Sequence, residues 1–320
     1  MQSLSSSAAD AGRLASLLGV ALREIKLHRF PDGEIRVTVG AAAATTIIYA
    51  PLDQPNDKLI ALLFAAEALR RAGARRLVLL APYLCYMRQD AAFGEGEAIS
   101  QKAVGRLISG IVDRVITVDA HLHRTPDISA VFPGIEAEDL SAMPAIANSL
   151  RSAGIDPATI VAGPDAESAP WVSDLAGRLG LAHMVARKIR RGDRSVEIVL
   201  ADPASVARRP VLLVDDIVSS GGTLIGCARA LIAAGATAVD AVMTHALFPH
   251  EMAAAFRDAG IRSVRSTSSV PHPTNAIPLD DILAAALRGE VNGPAPNQGN
   301  ADQYPQHPLK PTRDGLPGCT

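Results

Sequence analysis

The chain has 320 residues, 48% of them hydrophobic, with a formal net charge of −2 and three cysteines. That length suggests two domains with room for buried cores, and the near-neutral charge gives no support for binding nucleic acid through its phosphates. No run is long and apolar enough to span a membrane, residues 1–10 lack the basic and apolar regions of a secretion signal, and Cys85, Cys227 and Cys319 form neither a disulfide framework nor a CxxC metal spacing, so the expected setting is the cytoplasm.

Strand and helix signals alternate almost throughout, the pattern of parallel sheets flanked by helices. The first half predicts a helix over 8–18, a strand over 24–28, a strand over 45–50, a helix over 58–71, a strand over 76–81, a helix over 100–112 and a strand over 114–118. A second alternation starts near Met143. Its predicted strands are 159–162, 183–186, 196–200, 211–214, 239–244 and 263–266, and its helices 169–179, 224–234, 251–259 and 280–288. Segments 65–74 and 227–236 both run from a helix through Ala-Gly-Ala into a strand, with glycine as the natural helix stop. The echo fits two related units, or only the general likeness of such elements. From Gly289 to Thr320, Pro, Gly, Asn and Gln dominate and apolar periodicity ends, which predicts a disordered tail without chemistry.

Polar segments sit where these strands end, and ligand sites of open α/β sheets lie beyond the carboxyl ends of strands. Phe30-Pro31-Asp32-Gly33-Glu34 follows the early strand and reads in isolation as a solvated turn. Tyr83 to Asp90 follows the strand over 76–81. There Arg88 offers a planar fork of donors suited to phosphate and Gln89 adds neutral contacts. Asp119, His121 and His123 are spaced by two, so all three face one side if the strand over 114–118 continues. His121 could ligate a metal or a metal-bound water, or be structural. Pro164-Asp165 ends another strand. Residues 187–194 read as a dense cationic loop between strands, and such runs are usually solvated. Lys188, however, is one of only five lysines among 31 basic residues. With Arg190 it would share one face of an extended segment, where both could neutralise charge on a transferring diphosphoryl group.

The most informative stretch is Pro210 to Leu224. A buried strand ends in Asp215 and Asp216, a loop of small residues follows, and a helix begins. Ser219, Ser220, Gly221, Gly222 and Thr223 can fold closely around an anion, and the helix start adds free N–H groups and a favourable dipole. Asp215 and Asp216 can accept hydrogen bonds from sugar hydroxyls or hold a hydrated metal ion. A phosphate cradle beside a di-acid suits ribose 5-phosphate. No Gly-Lys-Ser/Thr closes the loop and no Gly-x-Gly-x-x-Gly is present. The stretch resembles the phosphoribosyl-diphosphate signature of type I phosphoribosyltransferases and of ribose-phosphate diphosphokinases, and alone it does not separate the two.

Six motifs in order do separate them. Phe-x-Asp-Gly-Glu at 30–34, Tyr-x-Arg-Gln-Asp at 86–90, Asp-x-His at 119–121, Pro-Asp at 164–165, Lys-x-Arg at 188–190 and Val-Asp-Asp-Ile-x-Ser-x-Gly-Gly-Thr at 214–223 resemble the ribose-phosphate diphosphokinase family over residues 1–288. The resemblance implies two related type I phosphoribosyltransferase-like α/β domains, each a mainly parallel sheet flanked by helices. They are expected at 1–142 and 143–288, with a tail at 289–320. It implies transfer of the diphosphoryl group of ATP to the 1-hydroxyl of ribose 5-phosphate, with Mg2+ as cofactor and AMP released. Lys188 and Arg190 would be catalytic. Phe30, Asp32, Gly33, Glu34, Arg88, Gln89, Asp90 and His121 would contact ATP, the first four from a neighbouring subunit of a homo-oligomer. Arg190, Asp215, Asp216, Ser219, Ser220, Gly221, Gly222 and Thr223 would hold ribose 5-phosphate, and His121 and Asp165 the metal. Two departures stand out: Ala91-Ala92 where a basic residue is common, and Ala166-Glu167-Ser168, which adds a carboxylate where diphosphate would sit.

Overall fold

Runs such as Leu-Val-Leu-Leu-Ala at 77–81 and Val-Leu-Leu-Val at 211–214 are continuously apolar, as strands covered on both faces must be. The computed structural model describes residues 1–4, 7–191 and 195–292. The first half contributes β1 (Gln2–Leu4), α1 (Ala8–Leu18), β2 (Arg23–Arg29), β3 (Ile35–Thr38), β4 (Thr45–Tyr49), α2 (Pro55–Arg71), β5 (Arg76–Ala81), α3 (Ser100–Ser109), β6 (Arg114–Val118) and β7 (Glu136–Leu140). The second contributes α4 (Met143–Ser152), β8 (Ile160–Gly163), α5 (Ala169–Leu179), β9 (Ala182–Val185), β10 (Arg187–Arg191), β11 (Ser195–Val199), β12 (Pro210–Val218), α6 (Gly222–Ala233), β13 (Ala238–Ala246), α7 (Met252–Asp258), β14 (Ile261–Thr267), β15 (Asn275–Ile277) and α8 (Asp280–Asn292).

Two mainly parallel sheets result, as the sequence predicts. The first is ordered β3-β2-β1-β4-β5-β6-β7 and is antiparallel only between β2 and β3. The second, β15-β14-β13-β12-β8-β9, is parallel throughout. Side chains alternate between apolar layers with the period of two that strands impose. Leu77 and Leu79 face α2 and α3, while Val78 and Leu80 face inward. Leu213 faces α6 and α7, while Leu212 and Val214 face inward. The inward layer also takes Leu14 of α1, Ile146 of α4, Leu175 of α5 and Leu283 of α8, so one continuous core joins the two sheets. No helix among the described residues is long and apolar enough to cross a membrane.

Three features differ from the sequence expectations. Residues 187–191, read as a loop, are strand β10, which pairs with β11 in an isolated antiparallel hairpin. The charge run hid its extended backbone. The short strands β1, β3, β7 and β15 and the helix α4 went unpredicted. β7 is Glu-Ala-Glu-Asp-Leu, an edge strand whose Glu138 pairs with Arg114 of the adjacent β6 and whose Glu136 reaches Arg76 of β5, one strand further in. Helix α8 runs through Asn292, past the expected start of the tail. The remaining tail, 293–320, lies outside the described residues, as do Gly192, Asp193 and Arg194.

The extra turn of α8 exists because Glu290 has partners. Its carboxylate takes two hydrogen bonds from Arg76, at 2.8 Å each, and one from Arg114 at 2.9 Å. Arg13 of α1 reaches Asp280 of α8 at 3.3 Å. The last helix therefore returns to the first sheet. Hydrogen bonding by Arg76 and then Arg114 outweighs the cost of partial burial and holds Glu290 below the usual glutamate range. A depressed carboxylate stabilises the fold above its unfolded pKa of about 4.3, and that contribution is lost as pH falls below it. We expect Glu290→Gln to destabilise the protein by about 1–3 kcal/mol at pH 7. Urea unfolding of both proteins at pH 7 and near pH 3.5 checks this, and the gap between them should shrink at the lower pH.

Candidate active site

The site forms where the carboxyl ends of the two sheets meet. β12 continues past Val214 through both aspartates to Val218, so the di-acid lies inside the strand and is held in register by β13. Neighbouring strand residues point to opposite faces, which gives the two acids different surroundings. Asp216 is buried, with Oδ2 2.8 Å from Nδ1 of His121. Burial opposes its charge, but the hydrogen bond and charge of His121, with His245 behind it, outweigh burial and keep Asp216 below the usual range. Asp215 is pushed well above that range, first by burial and then by the charges of Asp216 and Asp165.

Beyond β12, Ser219 and Ser220 lead to Gly221, which caps α6 at φ 74°. Only glycine adopts this backbone without strain. It also lacks room for a side chain, because a Cβ would lie 2.7 Å from Cε1 of Phe256. The first turn of α6 presents its N–H groups and the positive end of the helix dipole toward this loop.

From the other sheet, β6 ends at Val118 and Asp119 turns into the left-handed region at φ 41°. The strand therefore does not continue, and Asp119 does not share a face with His121 and His123 as their spacing suggested. Its Oδ2 instead accepts from Thr244 Oγ1 at 2.6 Å and from the Ala142 amide at 3.2 Å. Burial pushes this carboxyl up to about 6. His245, at the end of β13, donates through Nε2 to the Val118 carbonyl at 3.0 Å. Burial pushes its imidazole down to about 4, so it is neutral at pH 7. His245 and Thr244 were not among the residues singled out from sequence. The rule applied to the other strand ends, had it been applied to β13, would have found them.

Arg88 and Ser219 come from opposite halves of the chain, yet Nη1 of Arg88 donates to Oγ of Ser219 at 3.2 Å. Arg88, His121 and Asp216 border one narrow slot with Tyr83 and His245. Asp90 is taken up by Arg124, whose Nε lies 3.1 Å from it. Burial works against the ionised form of Asp90, and Arg124 overcomes it, holding the group below its usual range. Arg124 also stacks 5.0 Å from the Phe93 ring centroid. Gln89 lies 3.4 Å from Glu97. Phe30, Asp32, Gly33 and Glu34 form the β2–β3 turn, closed by the Phe30 amide on the Glu34 carbonyl at 2.8 Å. The sheet order puts β1 and β4 between that hairpin and β5, three strand spacings or about 14 Å from the segment bearing Arg88. The structure does not bring these four residues to the rest of the site. Lys188 and Arg190 occupy alternate positions of β10, in register with Ile198 and Val196.

Asp165 caps the turn that follows β8, its Oδ1 accepting from the Glu167 amide at 3.1 Å. Among the described residues, the group able to hold a metal ion around His121 consists of His121, His123 and Glu167, whose ligand atoms lie within 4.8 Å of one another. Asp165 is not in it. A second cleft of about 750 Å3 opens beside Asn56, Tyr86, Phe248 and His250; it shares Tyr83 with the slot, and none of the expected site residues lines it.

Comparison with known proteins follows the same division. Residues 1–111 match the family model for the N-terminal domain of ribose phosphate pyrophosphokinase, and residues 140–283 match that for the phosphoribosyl transferase domain. The ribose-phosphate pyrophosphokinase of Methanopyrus kandleri is 31% identical over 277 residues, covering 86% of this chain and 94% of the relative. That of Bradyrhizobium diazoefficiens is 35% identical over 278 residues, covering 85% of each. The crystal structure of phosphoribosylpyrophosphate synthetase from Mycobacterium smegmatis superposes with a TM-score of 0.78 at 23% identity, covering 91% of this chain and 98% of that one, which speaks for the fold.

Gly221→Ala is expected to destabilise the protein by about 1–3 kcal/mol through its φ and the clash with Phe256. It should also weaken inorganic phosphate binding at the loop. Thermal unfolding with and without phosphate measures both effects.

Proposed function

The chain belongs to the ribose-phosphate pyrophosphokinase family, and from that premise we propose that it transfers the diphosphoryl group of ATP to the 1-hydroxyl of ribose 5-phosphate. The products are 5-phosphoribosyl 1-diphosphate and AMP. The observation that carries this reading is the pair of contacts joining the two halves: Arg88 on Ser219 at 3.2 Å and His121 on Asp216 at 2.8 Å. They favour one site with a nucleotide side and a sugar side.

On the sugar side, Ser219 to Thr223 and the first turn of α6 hold the 5-phosphate. Asp216, kept ionised by His121, accepts from ribose hydroxyls, with Asp215 beside it. On the nucleotide side, Arg88 and Gln89 hold the phosphates of ATP, and Asp90 acts by fixing Arg124. Lys188 and Arg190 on the β10–β11 hairpin neutralise charge as the bond between O1 and the β-phosphorus forms. The bond between that phosphorus and the oxygen retained by AMP breaks. The protein mainly aligns the two substrates. Three carboxylates near one another, with Asp165 and Asp216 both raising Asp215, make an oxygen-rich setting that fits Mg2+. By the family resemblance His121 and Asp165 would hold Mg2+, which would supply neutralisation of the ATP phosphates, although the metal-capable group around His121 contains only the first of the two.

The division of labour follows domains at 1–142 and 143–288, with α8 crossing back to the first. Phe30, Asp32, Gly33 and Glu34 serve the ATP of a neighbouring subunit in a homo-oligomer, a reading supported by the exposure of Phe30 and Leu27 on the hairpin. Cytoplasmic residence agrees with the free thiols of Cys85 and Cys227.

Incubation with ATP, ribose 5-phosphate and Mg2+ is expected to yield AMP in step with 5-phosphoribosyl 1-diphosphate. ADP in place of AMP, or no turnover, would overturn the reading. Lys188→Ala should lower kcat by about 100-fold or more with an unchanged unfolding midpoint, and full turnover in that variant would remove the hairpin from the mechanism.

A further inference from the structure

Two residues beside His121 have no place in that scheme. His123 lies on the loop after β6, and Glu167 on the turn after β8, so they come from different sheets. Their side chains meet, with Nε2 of His123 3.3 Å from Oε2 of Glu167. That nitrogen is shielded from solvent and has no hydrogen-bond partner among the described residues. The imidazole is packed between two rings, 3.8 Å from His121 and 6.4 Å from Trp171, centroid to centroid. A ring packed in this way, with a shielded nitrogen beside a carboxylate to which it is not hydrogen-bonded, leaves that nitrogen for a third group to satisfy.

The spacing fits a metal ion. Two ligands of a tetrahedral ion, each about 2.0–2.1 Å from the metal, lie about 3.3 Å apart. His121 completes the set, and its orientation is already fixed. Its Nδ1 is 2.8 Å from the Asp216 carboxylate, the outer contact that metal-bound imidazoles ordinarily make and that leaves Nε2 to the ion. Two imidazoles and one carboxylate are a donor set for zinc or cobalt, whereas Mg2+ prefers oxygen and keeps its waters. Glu167 is also the carboxylate that distinguishes the Ala166-Glu167-Ser168 turn, and His123 is the residue that answers it.

We propose that His121, His123 and Glu167 form a site for one borderline divalent transition metal, bound by protein ligands without nucleotide. The metal would join the loop after β6 to the turn after β8. Because it shares His121, the proposal rests on the site assignment above but not on the reaction. The ion would occupy the nucleotide side of the site in the resting protein.

The test is titration of the full, metal-free chain with Co2+ in the absence of nucleotide, followed by visible d–d absorption and by thermal unfolding. One equivalent is expected to bind, with absorption of a low-coordinate nitrogen and oxygen site and a rise in melting temperature. His123→Gln and Glu167→Gln should each weaken Co2+ binding by about tenfold or more, while their circular dichroism matches wild type. Absence of saturable binding, or equal affinity in both variants, overturns the site. A wild-type protein that makes AMP with Mg2+ yet binds no Co2+ would refute only this proposal. One that binds Co2+ through these residues yet makes no AMP would refute only the reaction.

Discussion

The structure depends on a buried polar seam where the carboxyl ends of two sheets face each other. Thr244 and His245 at the end of β13 satisfy Asp119 and the Val118 carbonyl at the end of β6, at 2.6 and 3.0 Å. Each of these groups is buried, and each would be costly to leave unpaired. The seam therefore sets how the sheets meet, because only one apposition satisfies all of them. The apolar layer behind it, shared by α1, α4, α5 and α8, holds the sheets together without specifying that alignment. With the edges fixed, Arg88 can address Ser219 and His121 can address Asp216.

The same seam separates two acids that are adjacent in sequence. Asp216 lies toward His121 and stays charged. Asp215 lies toward Asp165 and is driven toward its neutral form by burial and by both neighbouring carboxylates. A strand inverts its environment at each residue, so an Asp-Asp pair inside β12 is not a symmetric clamp. The difference has a consequence for ligands. A cation or a hydroxyl donor arriving near Asp215 relieves repulsion there, whereas near Asp216 it must compete with an imidazole already in place.

Much of this was legible in the sequence where the signal was contiguous. The β12–loop–α6 unit was read whole, because the apolar run, the acids, the small loop and the helix follow one another. The central strands were legible for the same reason. What escaped was set by pairing between distant segments. β1 is three residues long and is a strand only because β2 and β4 flank it. β7 carries glutamates that suit it to an edge beside the arginines of β5 and β6. Asp119 obeyed the spacing rule in sequence but broke it in space, since its buried partners Thr244 and Ala142 pull it out of the strand. Arg124 gave no signal at all, because its partner Asp90 belongs to a different loop. Glu167 was visible as an oddity, but its meaning depended on His123, which comes from the other sheet.

The sheet order also limits what one subunit can do alone. Phe30 to Glu34 carry a family motif, yet β1 and β4 stand between their hairpin and the strand that leads to Arg88. Three strand spacings, about 14 Å, separate β2 from β5, and the β2–β1 ladder holds the hairpin at its end of the sheet. The proposal that these residues serve nucleotide therefore places it on another copy of the chain. Leu27 of β2 and Phe30 of the turn that follows it are both exposed on this hairpin. An edge hairpin is well suited to that task. It can be presented to a neighbour without disturbing the seam that aligns its own subunit's acids and cations.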